Sequence, residues 1–297
     1  MMEEYICTDL AAECRDVAGV DRIQGVSYTE TVHGKVTVSH IEILDEQGER
    51  ALGKPKGNYI TLTFDLPWLM DEDARDSLCE ILSRRLSEML WRAAPGAKTV
   101  LVAGLGNRRI TADAVGPETV DRITVTKHLQ TLDPSLFRQV GQLAVAALAP
   151  GVLGDTGVEA AELVAQAAQA VKPDAVIAVD ALAARNVDRL GRTVQLSDCG
   201  ISPGSGVGNR RMALTKSTLG VPVIALGVPM VVNSSTLVRD ALSEAGLEDI
   251  SPTLRAVLEN GKSFFVTPKE SDAAVEAFSE IMAMALDMAL AAPKEVG

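Results

Sequence analysis

TVLVAGLGNRRITADAVGP (Thr99–Pro117) and AVIAVDALAAR (Ala175–Arg185) are the stretches on which the fold turns. Each opens with a short, unbroken apolar run and then meets Gly or Asp. A run this brief, rich in Val and lacking polar alternation, fits a strand covered on both faces. Leu143–Leu148, Thr193–Leu196 and Val221–Leu226 have the same form, and helix-like stretches such as Gly157–Val171 lie between several of the runs. Strand, loop and helix in alternation predict an α/β fold, a mostly parallel open sheet with helices on both faces.

Upstream the pattern differs. Val36, Val38, Ile41 and Ile43 alternate with polar residues, and Tyr59, Thr61 and Thr63 resume the alternation after GKPKGN. Period two around a Gly/Pro turn predicts an N-terminal β-hairpin. Leu78, Ile81, Leu82, Met89 and Leu90 then share one helical stripe within Asp71–Arg92, which Pro95-Gly96 ends. Thr267-Pro268-Lys269-Glu270 has the form of a capping box, predicting a last helix over 268–290. The first twenty residues are polar and irregular. Without repeats or a low-complexity linker, the chain is expected to form one α/β domain, with its core over 95–235 and the hairpin and helix over 34–92.

The 297 residues carry 28 Lys+Arg against 40 Asp+Glu, a net charge of −12, and are 47% hydrophobic but only 3% aromatic. The core must therefore be built from Ala, Val, Leu and Ile. An acidic chain without a Lys/Arg-dense stretch argues against nucleic-acid binding. No run of about 18 uncharged apolar residues offers a membrane span. MMEEYICTDL lacks the features of a secretory signal, so a cytoplasmic protein is expected. Cys7, Cys14, Cys79 and Cys199 show no CxxC spacing, and His33, His40 and His128 are the only histidines. That excludes a zinc finger and makes a Ser/His or Cys/His catalytic pair a poor expectation.

Ligands of open α/β sheets sit outside the carboxyl ends of the strands, which directs attention to Asp113 and Asp180. Two carboxylates brought together cannot both ionise easily, so one becomes a proton donor beside a base, suited to activating water. The same oxygens could ligate a divalent metal, although neither a metal nor another cofactor is expected. The plainer alternative for each is a helix cap. GLGNRR (Gly104, Gly106, Asn107) and PGSGVGNRR (Gly204, Ser205, Gly206) present backbone N–H groups to an anion, or are simply tight turns. Neither matches a nucleotide fingerprint, since Arg109 replaces the third Gly of GxGxxG and Asn209-Arg210 replaces the Lys-Ser/Thr of a P-loop. Arg185, Arg210 and Arg211 suit carboxylates, or ordinary surface ion pairs.

Taken together, GLGNRRITADAVGP (104–117), APGVLGDTGVE (149–159), AVDALAAR (178–185), SDCGISPGSGVGNRR (197–211), LGVPVIALGVP (219–229) and FVTPKE (265–270) resemble one family. That family is the germination protease of bacterial spores, whose fold is similar to that of hydrogenase maturation proteases. The resemblance implies an aspartic-type endopeptidase that degrades small acid-soluble spore proteins in the spore core, works as a homotetramer and is activated on acidification. It places the two essential aspartates at Asp113 and Asp180. The glycine loops, with Arg185, would then support substrate and oxyanion. It also implies a zymogen that cuts itself: Thr8-Asp9-Leu10-Ala11-Ala12-Glu13 fits the family's TDLAxE processing sequence, with residues 1–9 as propeptide and the cut between Asp9 and Leu10. As a polar terminus, that segment is expected to fray. The chain departs from the family in being shorter after Val232, in Cys199 where Thr is usual, and in Asn233 where Asp is usual. Alternatives are a maturation-type protease with a metal at the aspartates, which would have no use for TDLAAE, or an inactive module binding spore proteins.

Overall fold

The computed structural model describes residues 8–18, 23–140, 143–203, 212–247, 251–260 and 264–291. The strands are β1 (Val26–His33), β2 (Val36–Ile43), β3 (Gly57–Thr63), β4 (Thr99–Gly104), β5 (Ala144–Leu148), β6 (Ala175–Ala184), β7 (Thr193–Ser197), β8 (Val223–Asn233) and β9 (Phe265–Val266). The helices of the first half are α1 (Ala11–Ala18), α2 (Glu46–Leu52), α3 (Glu72–Ala93), α4 (Val115–Val120), α5 (Leu129–Leu132) and α6 (Pro134–Val140). Those of the second half are α7 (Leu153–Thr156), α8 (Ala160–Val171), α9 (Lys216–Leu219), α10 (Ser234–Glu244), α11 (Pro252–Asn260) and α12 (Ser271–Leu290).

The strands form one open sheet in the order β1-β2-β3-β7-β8-β6-β4-β5, with β9 added to β8. The predicted parallel sheet is the half β5-β4-β6-β8. From β8 outward through β7, β3, β2 and β1 every pairing is antiparallel. The reversal at β7 has a simple cause: only residues 185–192 join β6 to β7, too few for the crossover that a parallel partner needs.

Period-two alternation sorts the side chains cleanly between two faces. Val100, Val102, Ile177, Val179, Val194, Leu196, Ile224 and Leu226 enter the main core, where Leu78, Leu82 and Leu86 of α3 and Phe278, Met282 and Leu286 of α12 meet them. Leu101, Ala103, Val176 and Ala178 point the other way, onto Ala160, Ala161 and Val164 of α8. Farther along that second face, α1 and α2 cover Ile41, Ile43 and Tyr59. Both faces are thus covered by helices.

Several local readings change. The hairpin around residues 53–58 exists as β2 and β3, but α2 is inserted in it, capped by Asp45 whose carboxylate accepts the N–H groups of Gln47 and Gly48. β1, largely exposed and polar, adds a strand through a turn at Gly34, where φ is 60°. Residues 11–18, expected to be irregular, form α1. The last helix begins at Ser271 rather than 268, with no side-chain cap. Pro268–Glu270 forms a turn instead, closed by the Ser271 hydroxyl donating to the Pro268 carbonyl. β6 and β8 do not stop at the Asp and Gly that follow their apolar runs but continue through DALAA and GVPMVVN.

Glycine matters most where β4 hands over to α4. A Cβ at Gly116 would stand 2.3 Å from the Leu105 carbonyl oxygen and 2.5 Å from that of Val179, and one at Gly104 would meet the Gly116 carbonyl. These obstacles are backbone and cannot swing aside. Gly116→Ala should therefore cost about 3 kcal/mol, the upper end for overpacking, measurable as a lower denaturant midpoint with an unchanged slope.

Candidate active site

Asp113 ends a single 3-10 turn, Thr111–Asp113, between β4 and α4. The turn packs against β6, β8 and α12. The carboxylate of Asp113 accepts the backbone N–H of Asn107 at 2.9 Å, and Gly106, at φ 114°, lies against its carbonyl. The N-cap of α4 is Ala114, with no side-chain cap, so Asp113 does not cap that helix. The Asn107 N–H, assigned on sequence to an oxyanion, is taken up by this carboxylate. Gly104 is buried against Gly116 and serves close packing.

Asp180 is not the end of its strand but lies within β6, 5% exposed. Its carboxylate accepts the N–H of Ala181 at 2.9 Å, and no helix follows for it to cap. Asp180 pairs with Gly227 of β8, Gly227 with Gln195 of β7, and Gln195 with Thr61 of β3. Residues on one rung share a face, so Asp180 and Gln195 rise from the sheet on either side of a glycine, their Cα atoms about 10 Å apart by two strand spacings. A Cβ at Gly227 would strike Leu182 at 2.5 Å; the glycine lets that leucine lie low across the sheet.

What lies over this rung is the chain's own N-terminal segment. Thr8–Glu13 does not fray. Leu10 is wholly buried among Leu182, Ala184, Leu190 and Val232, worth about 1.5–3 kcal/mol by area. Asp9 and Ala183 exchange two hydrogen bonds, the Asp9 N–H to the Ala183 carbonyl at 2.8 Å and the Ala183 N–H to the Asp9 carboxylate at 2.9 Å. Glu13, 3% exposed, accepts the N–H groups of Arg185 at 2.8 Å and Asn186 at 2.9 Å as well as the Thr8 hydroxyl. Lys54 donates to the Thr8 carbonyl at 2.9 Å. A buried carboxylate is tolerated only when hydrogen-bonded in this way. Arg185, half-buried just after β6, thus contributes its backbone N–H here.

Both atoms of the Asp9–Leu10 peptide bond are engaged. The Asp9 carbonyl accepts the Gln195 side-chain amide at 3.0 Å, and the Leu10 N–H donates to Thr8 Oγ1 at 3.0 Å. Gln195 Oε1 also accepts the Ala11 N–H at 2.8 Å. Sequence reasoning passed over Gln195; its one signal was a polar residue inside the apolar run TVQLS. Gly204, Ser205, Gly206, Arg210 and Arg211 lie outside the described residues. Cys199 is half-buried beside β3, where its thiol lies 3.3 Å from the Lys56 carbonyl and burial pushes it up to about 11, so it stays protonated at neutral pH. Among the described residues, no group of three or more His, Cys, Asp and Glu is arranged to hold a metal ion, and no helix is long and apolar enough to cross a membrane.

Fold and site together define a protein that docks a polypeptide segment on the face of an α/β sheet that also bears a buried aspartate. The family model described as germination protease matches residues 7–245. A germination protease of Caldanaerobacter subterraneus subsp. tengcongensis is 40% identical over 309 residues, covering 96% of this chain and 94% of the relative. One from Clostridium perfringens is 37% identical, covering 95% and 94%. The chain belongs to the germination protease family, and is a peptidase. A relative from Oceanobacillus iheyensis is 42% identical over 244 residues, covering 79% of this chain and 66% of the relative. The structure also has a distant likeness to a [NiFe] hydrogenase maturation protease, HycI from Thermococcus kodakarensis KOD1, at 19% identity and a TM-score of 0.37, covering 68% of this chain and 98% of that one.

Two measurements test the site. Glu13→Ala should release the segment, raising hydrogen exchange at the Arg185 and Asn186 amides about tenfold or more. Cys199→Ser should leave peptidase activity within about twofold of wild type, because a protonated thiol is no nucleophile.

Proposed function

We propose that this chain is an endopeptidase made as a zymogen, which removes Met1–Asp9 by cutting its own Asp9–Leu10 bond and then degrades small acid-soluble spore proteins in the spore core during germination. The observation that carries the reading is the docked segment. TDLAAE, the stretch that resembles a processing site, lies with the carbonyl of its Asp9–Leu10 bond held by Gln195, on the sheet rung that also bears Asp180.

The chemistry follows from the residues. Asp113 and Asp180, at the carboxyl side of adjacent parallel strands, serve as the acid–base pair of an aspartic-type mechanism. One carboxylate takes a proton from water, and hydroxide adds to the carbonyl carbon of Asp9. The proton passes to the Leu10 nitrogen as the C–N bond breaks, leaving a carboxylic acid and a free amine. The requirement for one protonated and one ionised carboxyl accounts for activation by acid. Spore proteins presenting the same pattern would occupy the cradle once the segment has left it: threonine, an acidic residue and leucine, with glutamate three residues on. A homotetramer is part of the same proposal.

An intact-mass time course after a shift to mildly acidic buffer tests it. Wild type should lose residues 1–9 at a rate independent of protein concentration, because the segment is docked in its own chain. Asp113→Asn and Asp180→Asn should be slower by about 10²–10⁴, the usual contribution of a positioned acid or base. An unchanged rate in either variant would remove that aspartate from the mechanism. Activity lost to a chelator and restored by a divalent cation would assign the pair to a metal instead.

A further inference from the structure

Gln195 is 7% exposed, and its side-chain amide makes hydrogen bonds to the backbone on both sides of Leu10, Nε2 to the Asp9 carbonyl and Oε1 from the Ala11 N–H. Neither partner belongs to the sheet that carries it. A buried amide is costly without partners, and these partners come from a segment docked on the sheet. Val194 and Leu196, its neighbours along β7, point into the main core, so the glutamine is the one residue of that rung of β7 turned toward the segment. Gly227, between it and Asp180 on the rung, makes room for Leu182, which lies over the glycine and packs with Leu10.

We propose that Gln195 is a further catalytic residue, whose Nε2–H donates to the oxygen of the carbonyl under attack while its Oε1 fixes the N–H of the second residue beyond the cut. The inference rests on the reading above that Asp9–Leu10 is the bond cleaved. As hydroxide adds to the carbonyl carbon, the π electron pair moves onto the carbonyl oxygen, already hydrogen-bonded to Nε2. The donor is in place before the charge develops, so no reorganisation is needed when it forms. When the C–N bond breaks, the pair returns to the carbonyl and the Leu10 nitrogen leaves with the proton taken from water. The Asn107 N–H is held by Asp113, whereas the side chain of Gln195 donates to this oxygen at 3.0 Å. After the cut, Nε2 is presented to the corresponding carbonyl of the next peptide.

The test uses the full-length protein, processed to completion, with a peptide of residues 6–16 supplied in trans. Gln195→Ala should lower kcat by about 10²–10³, the usual effect of removing one oxyanion donor, and raise KM because the Ala11 contact is also lost. Gln195→Glu keeps the acceptor, so KM should stay near wild type while kcat falls. Its deficit should shrink as pH drops toward about 4.3, where a glutamic acid regains a donor proton. Gln195→Met replaces Gln195→Ala if thermal unfolding shows that the alanine variant does not fold. A kcat within about threefold of wild type in the alanine (or methionine) variant and in Gln195→Glu, with the wild type cutting at Asp9–Leu10, overturns this role and leaves the proposed function standing. A change in KM alone also overturns it, assigning Gln195 to binding. A wild type that does not cut this bond, as the intact-mass experiment reads directly, overturns both.

Discussion

The backbone contact at Gly116 is the constraint from which the arrangement of the carboxyl edge follows. With no side chain at 116, the start of α4 lies directly on the carbonyls of Leu105 and Val179. The Leu105 N–H meanwhile continues the ladder to Val179 at 2.8 Å. Three main-chain segments therefore meet within a few ångströms of Asp180, the residue after Val179. The 3-10 turn bearing Asp113 is tied to the same point, because it immediately precedes α4. Two acidic residues 67 positions apart in sequence are thus fixed on one rigid frame of glycine and backbone. Frames of this kind position a side chain more tightly than loops do.

The second determinant is a segment that binds largely through main-chain groups at the end of β6. Ala183, Arg185 and Asn186 offer N–H groups to the carboxylates of Asp9 and Glu13. Such recognition reads acidic positions and a buried leucine while asking nothing of the intervening alanines beyond small size. Ala11 is itself wholly buried and Ala12 nearly so, which explains in packing terms why the small residues stand there. The pattern TDLAAE is therefore legible as a physical imprint of the surface on which it lies.

Much of the fold was legible because alternation and apolar runs report burial directly. The cores of β4, β5, β6 and β8 were each recognisable as Val- and Ala-rich runs, and α3 from its stripe. The misjudged boundaries share one cause. Asp180 and Gly227 look like strand ends because a charge or a glycine interrupts an apolar run, yet both lie within strands, paired with each other. The polarity of β7 depended on the length of its connection, which hydropathy does not encode. β1 and α1 were missed because the first carries polar residues on an exposed edge and the second owes its position to tertiary contacts made by Leu10, Ala11 and Glu13. Gln195 became visible only through register, since nothing local distinguishes it from any other polar residue in a strand.

The complete burial of Leu10 bears on what hydrolysis would leave behind. An intact peptide bond there is neutral and satisfied. Its cleavage would create an ammonium group on a residue enclosed by Leu182, Ala184, Leu190 and Val232, opposite a new carboxylate on Asp9. Isolated ions in apolar surroundings are destabilised by several kcal/mol each even after relaxation. The product would therefore be held far less well than the uncut chain, and its departure from the sheet would be driven by the charges that the reaction itself makes. Such a step would act as a ratchet: the cradle would empty through being used, and religation would require burying the same ions again.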